Sequence, residues 1–127
     1  MHIVLKQIAV AVAGGLVGAA GTRAATHNAT PHAFLVAEIN VHDTVSYPTY
    51  AKGAARAVAQ YGGHYLARGG ETRTIEGAPP PNRVALIEFP SMDELLRFES
   101  SPEYSAVRPI RQRAAESRIF AVQGVSP

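Results

Sequence analysis

The order of strand-like and helix-like segments after residue 32 limits the fold of this chain more than any other feature. Residues 33–41 and 83–89 are rich in β-branched and aromatic residues, which favour strands. Residues 47–61 instead repeat large side chains at spacings of three and four, which predicts a helix. The remaining segments are a short strand, a second helical region and a last strand, at residues 64–68, 91–116 and 118–123. This order predicts the ferredoxin-like α+β plan, βαββαβ with a four-stranded antiparallel sheet.

Glycine, proline and a capping residue set the expected ends of these elements. Asp43 is a good N-cap, and Pro48 predicts that the regular first helix begins there after an irregular turn. Gly69-Gly70 predicts a bulge or a close backbone approach after the second strand, with residues 72–76 continuing that strand. Pro109 predicts a kink in the second helical region.

The first 25 residues have the three parts of a secretory signal peptide. Lys6 supplies a positive charge, residues 8–20 are apolar or glycine, and small residues follow. This apolar run is shorter than the roughly 20 residues that span a bilayer, although its G-x-x-x-G pair keeps an uncleaved anchor as the alternative. We therefore expect an exported protein, periplasmic or secreted, with a connector at residues 26–32 and one domain at 33–124. Membrane contact is expected only through an uncleaved leader.

The composition excludes several classes of function. The chain has no cysteine, which excludes disulfides, thiolate metal sites and cysteine nucleophiles. Beyond the first 24 residues, ten basic residues balance ten acidic ones, so the domain lacks the basic face that nucleic-acid binding requires. The histidines do not have metal-ligand spacing. We expect no bound metal, no cofactor and no nucleic-acid partner.

A set of short motifs covers residues 33–124. The most specific are G-G-H-Y-L-A-R-G-G at residues 62–70, I-E-F-P-S-M at 87–92, S-P-E-Y at 101–104 and R-P-x-R at 108–111. With these motifs the chain resembles the domain-of-unknown-function family numbered 1330, in the dimeric α/β-barrel superfamily. The resemblance implies a ferredoxin-like protomer whose sheet packs face to face on a second copy. It implies no activity, because the chemistry of the family is not established.

Two carboxylates form the first candidate site. Strand alternation places Glu38 and Glu88 on the sheet face away from the helices, and their strands are neighbours in this topology. We expect them to lie close together with Arg68 facing one of them. Burial and mutual repulsion would then raise the pKa of one carboxyl, which makes either a candidate catalytic base. His64 is a third catalytic candidate. The simpler alternative is a structural ion-pair network at the dimer seam.

A second candidate group lies on the last helix. Tyr104 and Arg108 are separated by four residues, and Arg108 and Arg111 by three, so that they share a helix surface suited to a carboxylate or phosphate. The motif residues Glu76 and Arg83 are further candidates for ligand binding. The alternative is a structural link from this helix to Glu76, or to Glu103 and Glu116 on the helix itself.

These observations leave three functions open. The first is a homodimeric module that binds a small polar or aromatic molecule inside the barrel. The second is a cofactor-independent enzyme, isomerase-like or monooxygenase-like, that uses a barrel carboxylate. The third is a structural or protein-interaction module whose barrel is filled by side chains. A wet cavity would favour the first two, and a carboxylate with a raised pKa inside it would favour the second.

Overall fold

The computed structural model describes residues 29–127, and these form a four-stranded sheet with helices on one side. In chain order the elements are β1 (Ala33–Val41), α1 (Tyr47–Gln60), β2 (His64–Arg68), β3 (Arg83–Phe89), α2 (Met92–Ser100), α3 (Pro102–Ala114) and β4 (Ala115–Gln123). The sheet is antiparallel, with strand order β2-β3-β1-β4. This confirms the ferredoxin-like prediction. The predicted signal peptide, or alternative anchor, lies outside the described residues.

Several element boundaries differ from the prediction. The first helix begins at Tyr47, because the Asp43 carboxylate accepts hydrogen bonds from the backbone of the turn that precedes the helix. Residues 69–82 contain no strand, so the predicted continuation at 72–76 is wrong. Helix α3 continues through Pro109 to Ala114, whose carbonyl accepts two backbone hydrogen bonds from the segment after β1. Strand β4 therefore begins three residues earlier than predicted.

The core lies between the helices and one side of the sheet, which we call the helix face. Along β1, Leu35, Ala37 and Ile39 are buried on this face. Among the largest fully buried side chains are Phe89 from β3 and Phe98 from α2, whose ring centroids are 5.3 Å apart. Each such side chain contributes about 1.5–3 kcal/mol by leaving water. None of the helices within residues 29–127 is long and apolar enough to cross a membrane.

The other side of the sheet has no helix on it, and we call it the open face. Its centre is formed by half-buried apolar side chains that alternate with those of the helix face. These are Phe34, Val36, Val84 and Leu86. Strand β4 adds Phe120 and Val122, both exposed over more than two fifths of their surface. The open face is therefore largely apolar at its centre.

A bulge in β2 decides which side chains reach the helix face. The register between β2 and β3 shifts between Tyr65 and Ala67, so that Tyr65 lies opposite Ile87 and Arg68 opposite Ala85. Because Ile87 and Ala85 are both buried on the helix face, Tyr65 and Arg68 share that face although three residues separate them. The bulge therefore lies between Tyr65 and Ala67, before the Gly69-Gly70 position at which the sequence predicted it.

Candidate functional site

A small cavity of about 30 Å³ lies between the helices and the helix face of the sheet. Its polar lining consists of tyrosines and arginines, set in a wall of core residues. The polar residues are Tyr47, Tyr50, Tyr65, Tyr104, Arg68 and Arg83. No acidic residue from the described part of the chain lines it. We call these six residues the tyrosine–arginine pocket.

Local structure explains how distant parts of the chain reach this pocket. Tyr47 and Tyr50 both belong to the first turn of α1, three residues apart on one side of the helix. Tyr104 lies in the first turn of α3, whose Ser101 side chain accepts a hydrogen bond from the Tyr104 backbone N–H. The β2 bulge supplies Tyr65 and Arg68. The pocket therefore depends on two helix starts and one strand irregularity.

Arg83 reaches the pocket from the first position of β3. The preceding Asn82 side chain both donates to the Val41 carbonyl and accepts from the Val41 N–H, which fixes the start of β3 to the end of β1. The Arg83 guanidinium carbon lies 5.2 Å from the ring centroid of Tyr47. A Cβ atom on Gly69, whose φ is +67°, would lie only 2.5 Å from Nη1 of Arg83. Gly69 is therefore needed both for its backbone conformation and for the space that Arg83 occupies.

Burial keeps the hydroxyls of Tyr47, Tyr50 and Tyr65 protonated, so that they can donate hydrogen bonds. The Tyr50 and Tyr104 hydroxyls share a buried hydrogen bond of 2.7 Å. Burial, and then the neighbouring Tyr104, raise the pKa of Tyr50 far above its usual range. Burial also raises the pKa values of Tyr47 and Tyr65. The pocket can therefore donate hydrogen bonds to an oxygen atom without adding negative charge.

The two arginines that line the pocket have no acidic partner within residues 29–127. The side chain of Arg68 lies over the ring of Tyr65, 4.5 Å from its centroid, and donates one hydrogen bond of 3.4 Å to the Ala51 carbonyl. The buried Nε of Arg83 has no hydrogen-bond partner in this part of the chain. Two guanidiniums therefore line the pocket without a carboxylate to balance them.

Arg111 adds a third positive charge beside the pocket without lining it. It is only 8% exposed, its Nε has no partner among the described residues, and its guanidinium carbon lies 5.8 Å from the Tyr50 ring centroid. Arg111 is therefore a buried cation.

The predicted pairing of Glu38 with Glu88 is wrong. Both lie on the open face, as alternation predicts, but Glu38 pairs across the strands with Val84 whereas Glu88 pairs with Phe34. This register separates them by four residues along the strand, or roughly 13 Å. Arg68 lies on the opposite face because of the β2 bulge, so that it faces neither carboxylate.

Each of the two carboxylates instead has its own cationic or imidazole partners. Glu88 accepts hydrogen bonds of 2.9 Å from His32 Nδ1 and 2.9 Å from His64 Nε2, and the bond from His32 is the main reason its pKa is lowered. Glu38 accepts two hydrogen bonds of 3.0 Å from Arg118, which lower its pKa. The expected raised pKa of a catalytic base is therefore wrong for both. Within residues 29–127, no group of three His, Asp or Glu side chains could hold a metal ion.

The remaining predicted ligand residues divide between the pocket and the surface. Arg108 donates to the backbone carbonyl of Glu99 and lies 3.5 Å from its carboxylate, and is not part of the pocket lining. The Arg108 guanidinium also lies over the ring of Tyr104, 4.8 Å from its centroid. Glu76 lies in the exposed segment 69–82, near Glu38 on the open face. Neither Arg108 nor Arg111 contacts Glu76, so that predicted link is wrong.

Arg68, Arg83 and Tyr104 are thus brought together, with Arg111 beside them. Sequence reasoning did not place Tyr47, Tyr50 or Tyr65 in a site, and it used the first two only as part of the helical stripe that predicted α1. The signal that could have found them is chemical: a buried tyrosine hydroxyl needs a hydrogen-bond partner, and several in one stripe predict a polar site inside the core.

Solved structures support the fold. A protein of unknown function from Rhodopseudomonas palustris, RPA0582, is 18% identical with a TM-score of 0.62, over 76% of this chain and 85% of that chain. SnoaB of Streptomyces nogalater, a cofactor-independent oxygenase, is 12% identical with a TM-score of 0.56, over 77% and 97%. A comparison with curated proteins finds no match.

The family comparison covers both the sheet and the pocket. The model of the "Domain of unknown function (DUF1330)" matches residues 32–125, a range that contains all seven elements and every residue of the tyrosine–arginine pocket. The motifs that carried the resemblance in the sequence all lie within this match. Since the match spans well over half of the chain, the protein belongs to the DUF1330 family.

Proposed function

We propose that this protein is a homodimeric small-molecule-binding module whose ligand occupies the tyrosine–arginine pocket. The observation that carries the proposal is the pocket's unmatched polarity. Protonated tyrosine hydroxyls and two guanidiniums surround a cavity inside the core, with no carboxylate among the described residues that line it. Buried polar groups are normally satisfied within the protein, and exceptions of this kind are typical of binding sites. A purely structural core would have apolar side chains at these positions.

The ligand site proposed here lies on the helix face, not inside a barrel between two sheets as the sequence suggested. The cavity and its polar lining are on the helix face. The open face has apolar side chains, and its carboxylates already form hydrogen bonds with Arg118 or with histidines. We assign the open face to packing against a second copy, since exposed apolar patches of this kind usually mark an interface. Each protomer of such a dimer has its own pocket.

A cofactor-independent enzyme is the second candidate, and the likeness of the fold to SnoaB favours it. Neutral tyrosine hydroxyls and arginines are suited to stabilising negative charge that develops on a substrate oxygen. The described lining offers no carboxylate or histidine as a base, however. Ligand binding is therefore the function that the geometry supports better, and turnover would need a substrate that supplies its own reactivity.

Export belongs to the same proposal. The support comes from the charged start, the apolar run and the small residues of the first 25 positions. In this proposal the mature module works in the periplasm or outside the cell. N-terminal sequencing of the protein recovered from its own cells is the direct test, and an intact Met1 on the recovered protein would contradict cleavage.

Native mass spectrometry of the protein purified from its own cell envelope tests the binding proposal. We expect a dimer with a reproducible small-molecule adduct. Ala51→Phe, which fills the pocket from α1, should abolish the adduct. Ala55→Phe is the matched control, because Ala55 is half-buried on the same helix and does not line the pocket. Thermal unfolding confirms that both variants fold.

Three results would contradict this proposal in different ways. A clean, empty dimer would favour the structural alternative. An adduct that survives Ala51→Phe unchanged would place the ligand elsewhere on the molecule. A monomer that retains its adduct would refute the homodimer while leaving the pocket intact.

A further inference from the structure

We infer that the ligand of the tyrosine–arginine pocket is a small carboxylic acid, whose carboxylate lies inside the cavity against Arg83 and whose body lies at the edge beside Arg68 and Tyr65. This inference rests on the proposed binding function and names the chemical class of its ligand. It is carried by the charge of the pocket, by its free donors and by its size.

The charge of the pocket favours an anion. Arg68 and Arg83 line the cavity, and the buried Arg111 lies beside it. None of the three forms a salt bridge with an acidic residue in the part of the chain that the structure describes. Guanidiniums removed from water normally have an anionic partner, because their desolvation is costly, and this applies to the buried Arg111 and to the buried Nε of Arg83. A bound anion would supply the missing charge.

The free donors favour a planar, two-oxygen group. The buried Nε–H of Arg83 has no hydrogen-bond partner among the described residues. The edge of a guanidinium presents two parallel N–H groups that match the two oxygens of a carboxylate. The protonated tyrosine hydroxyls can donate to the same oxygens. The pocket therefore offers more donors than its own residues use.

The size of the cavity is compatible with a carboxylate. A volume of about 30 Å³ holds roughly two water-sized groups. This is enough for the two oxygens of a carboxylate. The remainder of the ligand must lie at the mouth. There the exposed Arg68 and the half-buried Tyr65 form a flat surface that is both aromatic and cationic, suited to a planar ring.

Isothermal titration calorimetry with benzoate, benzamide and inorganic phosphate tests the assignment on the purified protein. Benzoate should bind, whereas the neutral benzamide and the tetrahedral phosphate should bind at least about tenfold more weakly. Arg83→Gln should weaken benzoate binding by about tenfold or more, since a charged donor pair is lost. Arg83→Lys retains the charge without the paired donors, so its affinity for benzoate should lie between those of the wild type and Arg83→Gln.

Arg73→Gln is the matched control, because Arg73 is exposed in segment 69–82, forms its ion pair with Glu71 and does not line the tyrosine–arginine pocket. Thermal unfolding without ligand separates a loss of affinity from a loss of folding. Benzamide or phosphate binding as tightly as benzoate would overturn the carboxylate assignment, as would equal benzoate affinity in the Arg83 variants and the wild type. So would the absence of any heat with benzoate. A neutral adduct in the native mass spectrum would refute the carboxylate and leave the binding function standing, whereas no adduct would refute the binding function.

Discussion

Replacing Arg111 by methionine tests whether its buried guanidinium destabilises the fold and contributes to ligand binding. The side chain is 8% exposed, and no carboxylate within residues 29–127 pairs with it. Removing a guanidinium from water costs several kcal/mol, whereas the nearby Tyr50 ring returns about 2 kcal/mol as a desolvated cation–π contact. Methionine has a similar length and no charge to desolvate. We therefore expect Arg111→Met to raise the free energy of unfolding by about 1–3 kcal/mol.

The same substitution should weaken the binding of benzoate, because it removes a positive charge next to the pocket tyrosines. Urea unfolding at fixed protein concentration measures the first effect, and calorimetric titration measures the second. In thermal unfolding, each kcal/mol corresponds to a rise of about 4–8 °C for a domain of this size. Arg113→Met, an exposed position of the same helical turn, is the control and should change stability by less than about 0.5 kcal/mol.

A stable Arg111→Met variant that binds benzoate less tightly would show that the arginine is retained at a cost to the fold, as expected for a functional group. The prediction is contradicted if Arg111→Met loses more than about 1 kcal/mol of stability and binds benzoate as the wild type does. Arg111 would then be a structural residue whose contacts with the tyrosines outweigh its desolvation.

Three further predictions concern the rest of the structure. Tyr50→Phe should cost about 1–3 kcal/mol because it leaves the buried Tyr104 hydroxyl without its partner, and Tyr104→Phe likewise. The double variant should be more stable than the sum predicts, by about 1 kcal/mol in urea unfolding, and strict additivity would contradict the hydrogen bond. Because the pKa of Glu88 is lowered below 4.5, the stabilisation by its ionised form is complete above pH 4.5 and lost as the pH falls further. The difference in urea midpoint between wild type and Glu88→Gln should therefore shrink from pH 5 to pH 3. A constant difference would show that the protonation of Glu88 is not coupled to folding. Leu86→Asp introduces a charge at the centre of the open face and should give monomer or aggregate in sedimentation, whereas an unchanged dimer would refute sheet-to-sheet packing.

The fold could be predicted because its determinants are local. Alternation in β1 and β3, the stripe of α1 and the glycines and prolines between elements are each visible in short windows of sequence. The start of β4 was predicted late, because its position depends on pairing with β1 and on the Ala114 carbonyl, which are contacts between distant parts of the chain.

The site could be predicted only in part, because it depends on register and on one irregularity. Alternation correctly placed Glu38 and Glu88 on one face, but their offset along the strands follows from pairing that no local pattern specifies. The bulge at Tyr65 has no glycine to mark it, and it alone turns Arg68 toward the helices. Arg108 and Arg111 were expected to act together, yet Arg108 is held by Glu99 while Arg111 is buried beside the tyrosines.

The sheet divides the charged residues of this domain in a way that bears on the choice between binding and catalysis. On the open face, the Glu38 and Glu88 carboxylates already have partners and lowered pKa values. On the helix face, Arg68 and Arg83 line a cavity without any carboxylate from the described residues. A reaction that combined a carboxylate base with these arginines would need both on one side of the sheet, and the register forbids this within a protomer. Any proton transfer in the pocket would have to use a tyrosine, the ligand itself or water. A pocket that offers many hydrogen-bond donors and no base is better suited to holding an anion than to creating one.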